Sequence, residues 1–167
     1  MIFEDDRGFF FESFNKKDFS KKLNFNSDFV QDNHSRSSYG VLRGLHYQMP
    51  PYDQGKLVRV LSGKVFDVAV DIRKKSKTFG QWVSVILSVD NKKQIWIPPG
   101  FAHGFLVLSD GADVIYKTTN FYNNHSERSI IWNDPELNID WPLLDNIKLS
   151  QKDLSASAFK DAEYFND

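Results

Sequence analysis

The chain reads as short apolar runs in alternation with polar positions, broken by Gly, Pro, Asn and Asp. The clearest are FFFES (9–13), DFVQD (28–32), KLVRV (56–60), KVFDVAVDI (64–72), WVSVILS (82–88), KQIWI (93–97), GFLVL (104–108), ADVIYKTT (112–119) and SIIW (129–132). Strand-period runs at such intervals predict an all-β chain folded as an antiparallel sandwich, jelly roll or barrel. Helical signals are confined to two places. Asn15 is placed to cap a helix over 16–23, with Phe14 and Phe19 spaced as a hydrophobic staple. Ser150 is placed to cap a second, with Asp153 at its third position, running through SASAFKDAEYF. No internal repeat, low-complexity tract or linker is visible, and 167 residues predict a single domain over 1–167.

Several strands carry polar residues where a plain core would not. In KVFDVAVDI, Phe66, Val68, Val70 and Ile72 share one face; Val65, Asp67, Ala69 and Asp71 share the other. Two readings of that mixed face stay open: a solvated outer surface, or the interior of a barrel wide enough to hold a polar site. Lys56 shares a face with Val58 and Val60. A hairpin from KLVRV through LSGK into VFDVAV would set Lys56 beside an Asp, where it would keep its charge. Ala112, Val114, Tyr116 and Thr118 line one face of the next candidate strand, with Tyr122 in the same parity. A tyrosine there is either core with a satisfied hydroxyl or a proton donor to a carbanion. In VLRGLHYQ a regular strand would turn Arg43 and His46 opposite ways, and Gly44 between them marks a candidate bulge.

Composition removes whole classes of function. Lys plus Arg is 21 and Asp plus Glu is 22, for a net charge of −1, so there is no basic nucleic-acid footprint. Cysteine is absent, which excludes disulfides, thiolate metal sites and a Cys nucleophile. No apolar run approaches the roughly 18 residues of a transmembrane helix, and MIFEDDRG lacks a signal-peptide pattern. The expectation is a soluble cytoplasmic protein with neither membrane nor nucleic acid as partner. No glycine-rich phosphate loop lies between a strand and a helix, so Rossmann and kinase-type readings fail.

Pro98, Gly100 and His103 fit the P-x-G-x-x-H half of the cupin signature. The other half requires an H-x-H pair and a Glu. Here His46 is followed by Tyr47 and Gln48, and the next Glu is Glu127. Two imidazoles without a carboxylate make a poor divalent site. His34 and His125 lie in polar, turn-like segments and read as surface residues. The expectation is a cupin-like barrel with no metal and no other cofactor.

Longer strings are more specific. RGFFFESFN (7–15), FVQDNHSRS (29–37), GVLRGLHYQMPP (40–51), QGKLVRVLSGKVFDVAVDIR (54–73), TFGQW (78–82), IPPGFAHGFLVLS (98–109), YKTTNFY (116–122) and WNDPELNIDWP (132–142) together resemble the dTDP-4-dehydrorhamnose 3,5-epimerase family, in its order and spacing. The resemblance implies a homodimeric cupin jelly roll without metal. It also implies a substrate: a dTDP-linked 4-keto-6-deoxyhexose, inverted at C3 and C5 on the route to dTDP-L-rhamnose. By resemblance His46 is the base, oriented by Asp153, and Tyr116 is the acid on the opposite face. Lys56 stabilises the enolate oxygen and is held by Asp67, and His103 lines the pocket. Arg43 meets the diphosphate, Gln31 and Asn33 contact the nucleotide, and Tyr122 stacks on thymine. Arg7, Phe10 and Glu12 come from a strand exchanged with the partner subunit. Family members carry a further strand before the segment matching Ile2–Arg7, so the resemblance leaves the pairing at that seam open.

Three alternatives make different demands. A metal-dependent cupin oxygenase or isomerase needs the absent ligands. A non-catalytic sugar-nucleotide module needs neither acid nor base. A single-position epimerase, or one acting on a GDP-heptose, would share nearly the same motifs.

Overall fold

The computed structural model describes residues 1–23, 28–142 and 145–166. Among them run β1 (Ile2–Asp5), β2 (Gly8–Phe11), α1 (Lys16–Leu23), β3 (Gln31–Ser38), β4 (Leu42–Gln48), β5 (Lys56–Ser62) and β6 (Lys64–Asp71). There follow β7 (Trp82–Ser88), β8 (Gln94–Ile97), β9 (Phe101–Val107), β10 (Gly111–Thr118), β11 (Glu127–Ser129) and α2 (Gln151–Leu154), then a 3₁₀ turn at Phe159–Asp161. All strand pairs are antiparallel. β1 and β2 form a separate ribbon; the rest form a four-stranded sheet, β3-β10-β5-β8, and a five-stranded sheet, β11-β4-β9-β6-β7. This is the expected all-β jelly roll.

The order of strands corrects one expectation. β5 and β6 do not form a hairpin; they lie in different sheets, and the chain crosses between them at Gly63. Gly63 has φ +78°, and a Cβ there would sit 2.0 Å from the Gly111 carbonyl oxygen. Only glycine permits so close a crossing. Lys56 is therefore brought toward Asp67 across the barrel rather than along a ladder.

The mixed face of β6 is the inner one. Val65 and Ala69 join Val58, Val60, Leu87, Phe105, Val107 and Val114 in the core between the sheets, and Asp67 is fully buried beside them. The opposite face carries Val68, Val70 and Ile72, and it too is buried, under Leu137, Trp141, Phe159 and Phe165 of the C-terminal segment. Bridges Val41↔Lys148, Ile130↔Ser157 and Arg73↔Phe165 fasten that segment in place. The fold thus has three layers, so alternation along β6 does not separate water from core.

α1 has the expected bounds: the Asn15 side chain accepts from Asp18 N–H at 3.3 Å, and the Phe14 and Phe19 rings stand 5.8 Å apart. The second helix is much shorter than its capping signal suggested. It stops at Leu154, where the Ser155 hydroxyl donates to the Gln151 carbonyl, and the chain then runs extended. An extended path spans far more distance per residue than a helix, which is what covering a sheet requires.

DFVQD also shifts: the strand is Gln31–Ser38, polar throughout, with positions 31, 33, 35 and 37 on its less exposed face. No apolar pattern marks it, because that face does not meet the core. β1 and the strand at Leu42–Gln48 lie outside the clearest runs, and SIIW contributes only a bridge at Ile130 beyond β11. His34 therefore sits on a strand, yet it and His125 are exposed as expected. None of the helices is long and apolar enough to cross a membrane.

Gly63→Ala is expected to lower the unfolding free energy by about 2–4 kcal/mol, combining an unfavourable φ with a backbone collision. Chemical denaturation measures it. A loss below about 0.5 kcal/mol, the size of a neutral surface change, would mean that the crossover does not constrain the sheets.

Candidate active site

β4 begins the site. Its pairing with β9 slips between Arg43 and His46, as expected for a bulge at Gly44. Gly44 has φ +138°, and an added Cβ would meet Gly104 Cα at 2.5 Å. His46 falls opposite His103 on β9 and Ser129 on β11. The slip lets Arg43 and His46 serve the same cavity, and Arg43 lies close enough to Tyr116 to favour its ionised form.

His46 is held from the C-terminal layer. Its Nε2 lies 2.6 Å from Asp153 Oδ1, and Asp153 is only 2% exposed. The Ser150 hydroxyl donates to Asp153 Oδ2 at 2.6 Å and accepts from Asp153 N–H at 3.1 Å. Asp153 thus closes the cap of α2 and pairs with His46 at once. Burial opposes its charge, but the hydrogen bonds from His46 and Ser150 outweigh this and hold the carboxyl near a pKa of about 2. With Nε2–H donating to a permanent carboxylate, the lone pair of His46 is on Nδ1. The side chain is 28% exposed, so that nitrogen is reachable.

Lys56 projects from β5 into the interior and donates to the His46 carbonyl at 3.3 Å. Burial pushes its pKa down to about 8, against the pull of Asp67 and Glu127 and with a further push from Lys152. Asp67 does not clasp Lys56 directly. Its two oxygens lie 3.1 and 3.0 Å from His103 Nε2, so it steadies His103 and acts on Lys56 only through its field. Tyr116 faces the same interior from β10, opposite Asn33 on one side and Val58 on the other. Burial raises its pKa, which keeps the phenol protonated at neutral pH.

The outer part of the cavity is polar. Gln31 Nε2 donates to Asn33 Oδ1 at 2.9 Å, and Gln31 Oε1 accepts from Tyr122 N–H at 3.1 Å. The Tyr122 hydroxyl donates to Glu127 Oε2 at 2.9 Å, and Glu127 also pairs with Lys152. Arg43 donates from Nε to Ser37 Oγ at 3.0 Å. Glu127 and Lys152 escaped the sequence reading. Glu127 weighed there only as a missing metal ligand, and Lys152 looked like any exposed helical lysine beside Asp153. Their spacing from His46 and Asp153 is the one signal that could have found them.

Three expected residues stay apart. Arg7 is 90% exposed at its side chain and paired with Asp5, Phe10 is 71% exposed, and Glu12 is exposed just beyond β2. Their ribbon meets the rest of the chain on the outside, where Lys92 stacks over Phe9 and Arg59 over Phe11. Within one chain they do not reach the cavity. Among the described residues, no three His, Cys, Asp or Glu side chains are grouped to hold a metal ion.

In chemical terms the cavity sets a carboxylate-backed imidazole and a protonated phenol around a buried ammonium, with an unpaired guanidinium at the rim. That is equipment for moving protons at carbon beside a carbonyl in an anionic substrate.

Comparison with known proteins agrees. The family model for dTDP-4-dehydrorhamnose 3,5-epimerase matches residues 1–161. A dTDP-4-dehydrorhamnose 3,5-epimerase from Shigella flexneri is 60% identical over 164 residues, covering 98% of this chain and 90% of that protein. The crystal structure of the Legionella pneumophila dTDP-6-deoxy-D-glucose-3,5-epimerase with dTDP-4-keto-L-rhamnose superposes with a TM-score of 0.97 at 55% identity. The match covers 100% of this chain and 90% of that one. A 3′-monoepimerase from Streptomyces bikiniensis with dTDP-quinovose is more distant, at 33% identity and a TM-score of 0.89 over 96% of this chain and 81% of that one. A match this long at this identity, on a chain whose fold and cavity agree with it, places the protein in the dTDP-4-dehydrorhamnose 3,5-epimerase family.

Proposed function

We propose that the chain inverts C3 and C5 of dTDP-4-dehydro-6-deoxy-D-glucose by acid–base chemistry, supplying the L-sugar for dTDP-L-rhamnose synthesis. The observation that carries this is the pairing of His46 with Asp153 in one cavity with Lys56 and Tyr116. Both carbons flank the C4 ketone, so each C–H bond is acidified. His46 Nδ1 takes the proton. Asp153 stabilises the imidazolium and fixes its orientation. The Lys56 ammonium neutralises the enolate oxygen in a site stripped of water, where a charge counts most. Tyr116 returns a proton from the opposite face, giving inversion. Asp67 holds His103 so that its ring lines the sugar pocket.

The nucleotide is held at the rim. Arg43 forks to the diphosphate. Gln31 and Asn33 contact the nucleoside, and Tyr122, tethered near them, stacks on thymine. Glu127 and Lys152 belong to this reading as well: their pair sits between Tyr122 and Lys56 and sets the local charge. Arg7, Phe10 and Glu12 serve a partner subunit in a homodimer. The exposed aromatic ribbon supports this, since rings such as Phe3, Phe9 and Phe10 left in water mark a surface meant to be covered. A cytoplasmic location follows from the substrate, a nucleotide sugar.

Incubation with dTDP-4-dehydro-6-deoxy-D-glucose in D₂O, read by NMR, is expected to place deuterium at both C3 and C5. Exchange at one carbon alone would make it a single-position epimerase. No exchange with dTDP still bound would leave only a binding module. His46→Ala is expected to lower turnover about a thousandfold or more, with dTDP affinity kept within a few-fold. Retained turnover would remove His46 as the base. Tyr116→Phe is expected to block the net inversion while still allowing exchange, read in the same NMR experiment. Normal turnover would assign the acid elsewhere.

Lys56 adds a pH limb. Its folded pKa is depressed to about 8, so the ammonium is present below that value and lost above it. kcat is expected to hold below pH 8 and fall as pH rises through it. Lys56→Arg, always charged, is expected to move that limb upward. An unmoved limb would belong to another group.

A further inference from the structure

The less exposed face of β3 carries four polar side chains in a row: Gln31, Asn33, Ser35 and Ser37. Three have visible partners. Gln31 and Asn33 bond to each other, and Ser37 receives the Arg43 Nε. Ser35 does not. Its Oγ is the one side-chain polar atom, among the described residues, that is buried and has no hydrogen-bond partner. An unsatisfied buried hydroxyl costs free energy unless something outside the protein completes it.

A second observation stands beside it. Arg43 is exposed, and the described residues offer its guanidinium no acidic partner, only the Ser37 hydroxyl. Strand geometry sets Ser35 about 7 Å from Ser37, one step further in. Across the ladder Ser35 pairs with Val114, next to Tyr116 opposite Asn33. Ser35 therefore lies between the Arg43 end of the strand and the reacting end. An unpaired cation and an unpaired hydroxyl donor on neighbouring positions fit one oxyanion.

We propose that the Ser35 hydroxyl is a substrate-binding donor, turning toward Arg43 to donate to a diphosphate oxygen of the bound nucleotide sugar. The residue as a whole is only partly buried, and rotation about a single side-chain bond carries Oγ from its shielded position to the open side. The hydroxyl contributes nothing to folding in the free protein, so its value appears only with ligand bound. The inference rests on the dTDP-sugar reading given above.

The test is Ser35→Ala, measured by dTDP calorimetry, steady-state kinetics and thermal melting beside the wild type. A lost bond to a charged group is expected to weaken dTDP binding and raise KM about tenfold or more, with kcat unchanged within about twofold. The melting temperature should stay level or rise, since an unsatisfied group has been removed. A merely structural serine would lower the melting temperature instead, and a fall in affinity that tracks such a loss would overturn the proposal. So would a dTDP affinity equal to that of the wild type. If the wild type itself neither binds dTDP nor turns over the sugar, the functional reading fails and the Ser35 role with it. If the wild type does both and Ser35→Ala matches it, only the Ser35 role fails.

Discussion

The hydrogen bond between His46 and the buried carboxylate of Asp153 joins two parts of the molecule that are otherwise distant in sequence. His46 belongs to the barrel strand β4, and Asp153 to the short α2 in the C-terminal layer. A carboxylate taken out of water needs partners, and Asp153 finds them in His46, Ser150 and, more weakly at 3.4 Å, the Gly44 amide. The same C-terminal segment brings Leu137, Trp141, Phe159 and Phe165 onto the sheet. Cover for the core and orientation of the imidazole are thus one structural event: a segment that docks badly would expose apolar surface and leave the base unaligned.

Inside the barrel the ionised groups form a nearly balanced set. Lys56, Lys152 and Arg43 face Asp67, Glu127 and Asp153, and no acid is given wholly to one base. Lys56 feels Asp67 and Glu127 without touching either, so its charge is tolerated yet not spent on a protein partner. Such a cation can still meet a negative charge that develops on a substrate. Asp67, committed to His103, steadies a ring instead.

Much of this was legible along the chain. The all-β class followed from alternation and breakers, α1 from Asn15 and the Phe14–Phe19 staple, and the bulge at Gly44 from a spacing that would otherwise split Arg43 and His46. The candidate residues His46, Lys56, Asp67, His103, Tyr116 and Asp153 do converge. Less visible were the features that depend on a third layer. The polar strand β3 has no apolar face to announce it, because it lines a cavity. The helix forecast beyond Leu154 fails because an extended chain can cover a sheet and a helix of the same length cannot. Glu127 and Lys152 are ordinary charged residues until β11 pairs with β4 and α2 docks.

The sequence by itself determined strand-forming character, the absence of thiol chemistry, the capping of α1 and the family strings, since each depends on local residue types or on their order. Only the tertiary structure decided that both faces of β6 are buried, that β5 and β6 belong to different sheets, and that Lys56 rests on the His46 carbonyl while Asp67 serves His103. The reason is physical. Alternation reports which side chains share a face, but what lies over that face is set by segments far away in the chain. A buried charge takes its partner from whatever geometry brings within reach.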